Sequence, residues 1–244
     1  MLVASHNYDM TLEVSLIRSL LERRIDGIAI VGHHHLDSAI EMLNMRSIPV
    51  LALWGYHKDA VIPFVGSDNT QAAYKVTQHL LELGHNDIAF IFPDTHNNDR
   101  AKDRKAGALQ AMRDAGKSVP DNRILTCPYN IAQSKQTTID LLRKDKPTAI
   151  VCGNDVIAHG VIYGAQQEQI TLPYDLSVVG IGDFTGSADI VPSLTTVRLP
   201  ANRIGQIAAD AIVEMSERGS AAGFKNRIIE TELIVRESTS QVSR

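Results

Sequence analysis

The run Ile88-Ala89-Phe90-Ile91-Phe92 is apolar at every position. A strand with one wet face alternates apolar and polar residues, whereas a strand apolar throughout belongs to a parallel sheet covered on both faces. Short β-branched runs of this kind recur. They place strands over residues 1–5, 26–31, 48–53, 62–66, 87–92, 123–127, 149–152 and 177–181. Helical patterns fill the gaps, over 12–24, 70–83, 104–115, 132–143, 156–169 and 201–218. In the first of these, Leu12, Leu16, Leu20 and Leu21 follow a period near 3.6. Gly84 and Gly116 stand where helices should stop. Repeated strand-helix alternation implies a doubly wound parallel α/β architecture.

Three stretches break that rhythm. Residues 62–68 form a strand followed at once by a helix that opens a second series. Residues 192–197 are extended after a long irregular stretch, and 226–235 are β-rich after the last helix. Three extended crossings suit two Rossmann-like lobes with parallel sheets joined by a three-segment hinge, with ligand bound between them at the carboxyl ends of the strands. The expected division is 1–66 plus 197–226 for the first lobe and 67–196 plus 227–244 for the second. The first lobe comes out short by about one strand-helix unit at its front, since repeated units of this kind are otherwise balanced.

Composition narrows the function classes. With 244 residues the chain can form one large domain or two small ones. At 44% apolar and 21% charged residues it is ordinary globular protein. A net charge of −4 makes it a poor candidate for wrapping nucleic acid by charge alone. No apolar run approaches the ~20 residues of a membrane helix, and the start lacks the features of a secretory signal. Cys127 and Cys152, the only two cysteines, sit in apolar contexts and read as buried, reduced thiols of a cytoplasmic protein.

Most chemical motifs are missing. Gly180-Ile181-Gly182-Asp183-Phe184-Thr185-Gly186 has the wrong spacing for a dinucleotide loop, and no amphipathic helix follows it. His33-His34-His35 ends a strand, but adjacent residues do not converge on one ion, so a polar loop is the better reading than a metal site. There is no G-x-S-x-G, no phosphate-binding glycine-lysine loop and no paired nucleophile signature. Neither cofactor nor metal is expected, and no enzyme class finds support.

Residues at strand ends are more informative. Arg104 is expected to open a helix just after a loop over 93–102, with a guanidinium that suits vicinal hydroxyls or a carboxylate; the bland reading is a surface arginine. Asn154-Asp155 follows one strand and begins a helix, where one of the pair can cap and leave the other for ligand. Asp183 follows another strand, and Asp68 sits at the first crossing. Trp54 and Tyr129 each follow a strand, where an aromatic face can stack on a sugar ring or simply fill a core.

Taken in order, the segments Val65-Gly66-Ser67-Asp68-Asn69, His79-Leu80-Leu81-Glu82-Leu83-Gly84-His85, Arg104-Lys105-Ala106-Gly107, Cys152-Gly153-Asn154-Asp155, Asp175-Leu176-Ser177-Val178-Val179-Gly180 and Leu194-Thr195-Thr196-Val197-Arg198 resemble the ligand-binding region of LacI/GalR-type bacterial transcription regulators. The resemblance covers nearly the whole chain. It implies a type I periplasmic-binding-protein-like fold, a homodimer, and operator DNA bound through a helix-turn-helix that precedes this region and is absent here. It places Arg104, Asp68, Tyr129 and Asn154 where such proteins often contact their effector, and Trp54 near another such position. The family's usual acid is replaced by Gly182, so either Asp183 takes over its contact or the contact is lost. The family's first strand and helix also lack a counterpart, with residues 1–5 matching its second strand.

The function implied is an effector-binding and dimerisation module of a repressor, responsive to a sugar or sugar acid. Lobe closure on the ligand would modulate operator binding. A solute-binding protein of a sugar transport system is the alternative. No membrane association is expected.

Overall fold

The computed structural model describes residues 1–46, 48–218 and 223–242. The chain divides into two units. The first comprises Met1–Asp68, His96–Arg100 and Pro200–Glu230; the second comprises Asn69–Thr95, Ala101–Leu199 and Thr231–Arg244.

In the first unit, Asp9 caps α1 (Met10–Glu22) by accepting the backbone N–H groups of Thr11 and Leu12, which satisfies donors that a helix start otherwise orphans. Then follow β1 (Ile28–Val31), α2 (Asp37–Asn44), β2 (Val50–Trp54) and β3 (Phe64–Gly66). The late elements α7 (Ala201–Arg218) and β9 (Arg227–Ile228) complete this unit. Its four strands are all parallel, in the order β1-β2-β3-β9. Ile17 and Leu21 of α1 and Ala39 and Leu43 of α2 pack on Ile28 and Ile30. Ile204, Ala208, Ala211 and Met215 of α7 pack with Leu51 and Val65. Ala29 and Val31 of β1 are exposed.

The second unit begins with α3 (Asn69–Glu82), β4 (Ile88–Phe92), α4 (Asp99–Asp114, its first residues in the first unit), β5 (Ile124–Thr126) and α5 (Ile131–Lys144). It continues with β6 (Ala149–Cys152), α6 (Asp155–Gln167), β7 (Ser177–Gly182), β8 (Thr195–Arg198) and β10 (Glu232–Ile234). The sheet order is β10-β8-β7-β6-β4-β5, with only β10 antiparallel to its neighbour. The strands β4, β6 and β7 are buried at every position, as expected for sequences that, Ser177 apart, carry no polar residue. Gly84 and Gly116 end α3 and α4 with φ of +90° and +69°. Glycine takes that left-handed conformation without strain.

Several expectations need correction. Residues 1–5 form no strand: they pair with nothing in the first sheet, and Met1, Leu2 and Val3 are exposed. The β-rich stretch 226–235 holds two short strands, one in each sheet: Val65 pairs with Arg227 in the first and Arg198 with Glu232 in the second. Residues 227–230 therefore belong with the first unit, and the whole of β8 belongs with the second because it pairs with β7. The segment His96–Arg100 also joins the first unit, where Asp99 accepts the His33 backbone N–H. The parts of the expected division at 47, 219–222 and 243–244 lie outside the described residues. Both cysteines are buried and unpaired, and burial pushes the Cys152 thiol well up.

Candidate functional site

Parallel strands point their carboxyl ends one way, so the loops after β4, β5, β6 and β7 meet at one edge of the second unit's sheet. Arg104 stands there, but not where the sequence put it. The helix α4 starts at Asp99, so Arg104 lies more than a turn inside it, and the expected loop ends earlier. Asp99 in the first turn explains the early start, because an acid there complements the helix dipole. Arg104 is buried, 7% exposed. Its Nε–H donates to Asn69 Oδ1 and its Nη1–H to the Gly153 carbonyl, both at 2.8 Å. One turn further on, a Cβ at Gly107 would lie 2.0 Å from the Thr70 carbonyl oxygen. The bare glycine lets α4 touch the first turn of α3, and that approach brings Asn69 within reach of the guanidinium.

Gly153 links Arg104 to the next pair. Asn154 caps α6 by accepting the Ile157 backbone N–H at 3.0 Å. The cap uses Oδ1 alone, which leaves the amide NH2 as a donor. Asp155 is not left for ligand as the sequence allowed. Its fully buried carboxylate accepts from the Thr196 hydroxyl at 2.6 Å, the Ser187 hydroxyl at 2.7 Å and the Phe184 N–H at 2.8 Å. These bonds tie the start of α6 to β8 and to the loop after β7.

That loop carries Asp183. Its φ of +55° is left-handed, and its carboxylate accepts from Arg198 Nε and Arg236 Nη2, both at 2.7 Å. Partial burial works against the charge, but the two arginines outweigh it and hold the carboxyl below its ordinary value. Gly182, with φ +144°, is not merely a lost acid: a Cβ there would lie 2.4 Å from the Phe184 ring. Phe184, which sequence reasoning did not single out, therefore occupies the space beside Gly182. Tyr129 is half-buried at the end of β5 and packs on the second unit's core.

The remaining two predicted residues belong to the first unit. Trp54 ends β2 with φ +73°, an uncommon conformation for a bulky residue. Asp68 is the last residue before the chain passes to α3. A cavity of about 280 Å³ in this unit is lined by His33, Asp37, Ile40, His57 and Val61, and none of the six predicted residues lines it. Among the described residues, no group of three His, Cys, Asp or Glu could hold a metal ion. No helix among them is long and apolar enough to cross a membrane.

The profile of the periplasmic binding protein-like domain matches residues 77–239. The chain belongs to this family. The regulator DegA of Bacillus subtilis is 30% identical over 246 residues, 100% of this chain and 72% of that protein. The NTD biosynthesis operon regulator NtdR of the same organism is 34% identical over 237 residues, covering 95% and 70%. The transcription regulator GntR from Chromobacterium violaceum has a similar structure, with TM-score 0.91 and 26% identity over 98% of this chain and 88% of that one. A LacI family regulator from Silicibacter pomeroyi gives TM-score 0.87 at 26% identity, over 98% and 87%. The LacI-type regulators thus supply the frame for this chain, which corresponds to their periplasmic-binding-protein-like, effector-binding region.

Proposed function

We propose that this LacI-type regulator region binds a monosaccharide or sugar acid at the carboxyl edge of the second unit's sheet. Arg104 is the polar anchor, and the observation that carries the reading is its fixed orientation between Asn69 and Gly153. Asn154 offers its amide NH2 and Tyr129 an aromatic face. Asp183 acts mainly by holding Arg198 and Arg236. Trp54 and Asp68 of the first unit complete the set of ligand-binding residues proposed. Sugar hydroxyls stripped of water need paired donors and acceptors, and a ligand carboxylate would gain most from the planar fork of Arg104. The module works without turnover, in a cytoplasmic homodimer whose operator contacts come from another domain. A ligand that prefers a closed arrangement of the lobes shifts the population and alters operator affinity.

Calorimetric titration of the intact protein against sugars and sugar acids tests this. Removing one partner of a buried charged hydrogen bond costs ~2–5 kcal/mol, so Arg104→Ala should weaken the binding ligand by about thirtyfold or more. Equal affinity for wild type and Arg104→Ala would remove the site. Binding of neutral sugars alone would remove the sugar-acid preference.

A further inference from the structure

The loop at the carboxyl end of β1 is fastened by a histidine that the function above does not use. The His35 side chain is 1% exposed and that of Glu13, from α1, is 6% exposed. The His35 Nδ1 lies 3.0 and 3.1 Å from the two Glu13 carboxylate oxygens. Its Nε2 lies 3.2 Å from the Gly32 carbonyl oxygen. Both ring nitrogens therefore face oxygens that accept: a carbonyl, and a carboxylate that is an acceptor only while ionised. A neutral imidazole has one N–H, whereas an imidazolium has two. With Glu13 ionised, only the charged ring gives both acceptors a donor.

We propose that His35 is an imidazolium clasp: at neutral pH its two N–H groups bind α1, through Glu13, to the strand-end loop, through Gly32, and loss of one proton opens it. A neutral ring would leave either Glu13 or Gly32 facing a lone pair. Release of Gly32 would loosen the residue before His33, whose N–H is held by the Asp99 carboxylate at 2.5 Å.

Of the ionisable groups near this loop, the acids Glu13 and Asp99 favour a charged ring, while Arg100 and any protonated neighbouring histidine oppose it. Glu13 comes from α1, Asp99 and Arg100 from the start of α4, His33 from the same loop, and His6 from the N-terminal segment. His6 Nε2 approaches Glu13 at 3.7 Å, a looser contact than His35 makes. Burial alone would push the His35 ring down, but Glu13, the Gly32 carbonyl and Asp99 outweigh it and the net movement is upward from 6.5. For a basic group raised on folding, the stabilisation is complete below the unfolded value of 6.5 and fades as pH climbs through the folded value. Burial moves the neighbouring His33 the other way.

The 15N shifts of the His35 ring in the intact protein give the direct test. Two protonated ring nitrogens at pH 7 are expected, with loss of one delayed past the ordinary histidine value; a neutral single tautomer at pH 7 overturns the clasp. His35→Gln tests the consequence, read by the fluorescence of Trp54 on thermal unfolding. The wild-type advantage in Tm should be present at pH 6 and shrink by pH 9, and a pH-independent difference overturns it. Glu13→Gln keeps the shape and removes the charge, so the His35 ring should then titrate lower; an unchanged titration also overturns the proposal. The wild-type ring shifts decide even if neither variant folds.

Discussion

The strands β6 and β1 carry almost the same side chains, Ala149-Ile150-Val151-Cys152 against Ile28-Ala29-Ile30-Val31. Yet β6 lies between β4 and β7 and is buried at all its positions, while β1 ends its sheet and buries only Ile28 and Ile30. What differs is the number of neighbours. In the second unit α5 and α6 pack on one face of β6, and α3 lies along β6, β7 and β8. In the first unit α1 and α2 cover one face of β1, and the other leaves Val31 42% exposed. A strand fully enclosed can hold the loop at its end in one place, which is what Arg104 and Asn154 need from β6. The loop after β1 has less packing behind it, and hydrogen bonds to His33 and His35 fasten it instead.

That contrast can be broken by paired truncations. Ile150→Ala should destabilise the second unit by ~2–5 kcal/mol, as large-to-small changes in enclosed cores do, and Ile30→Ala should cost the first unit less, because an edge strand can collapse around the gap. The chain has one tryptophan, Trp54 in the first unit. In urea, Ile30→Ala should move the fluorescence transition most, and Ile150→Ala the far-UV circular dichroism transition. Equal shifts of both signals in both variants would mean that the units do not differ in this way.

Gly107→Ala sharpens the comparison inside the second unit. The new methyl would meet backbone, not a flexible side-chain end, and overpacking of this kind costs ~1–3 kcal/mol. Separating α4 from α3 also pulls Arg104 from Asn69, so ligand affinity should fall together with the urea midpoint. Unchanged affinity and midpoint would show that the close approach is not needed.

The smallest expected effect is at the open edge. Val31→Lys should change stability within about 0.5 kcal/mol, as exposed substitutions do, yet lower any self-association through β1, because edge charge discourages strand addition. Sedimentation at increasing concentration checks it; a large loss of stability would mean that Val31 is covered after all.

The alternation of strand and helix, the parallel sheets, and the placing of Arg104, Asn154, Asp183 and Tyr129 after strands of one sheet are legible in the chain alone. These depend on local periodicity and chain order, which a single sequence carries. It also carried the glycine stops at Gly84 and Gly116. It could not say that residues 1–5 stay unpaired, since their composition is that of a strand and only the absence of a partner leaves them outside the sheet. It could not divide 226–235 between two sheets, because pairing of Arg227 with Val65 and of Glu232 with Arg198 is settled across more than thirty residues of intervening chain or far more. Nor could it show that Asp155 is consumed by Thr196, Ser187 and Phe184, or that Asp183 turns to Arg198 and Arg236. A carboxylate's position along the chain is covalent, but its direction is decided by donors that only the folded chain brings to it.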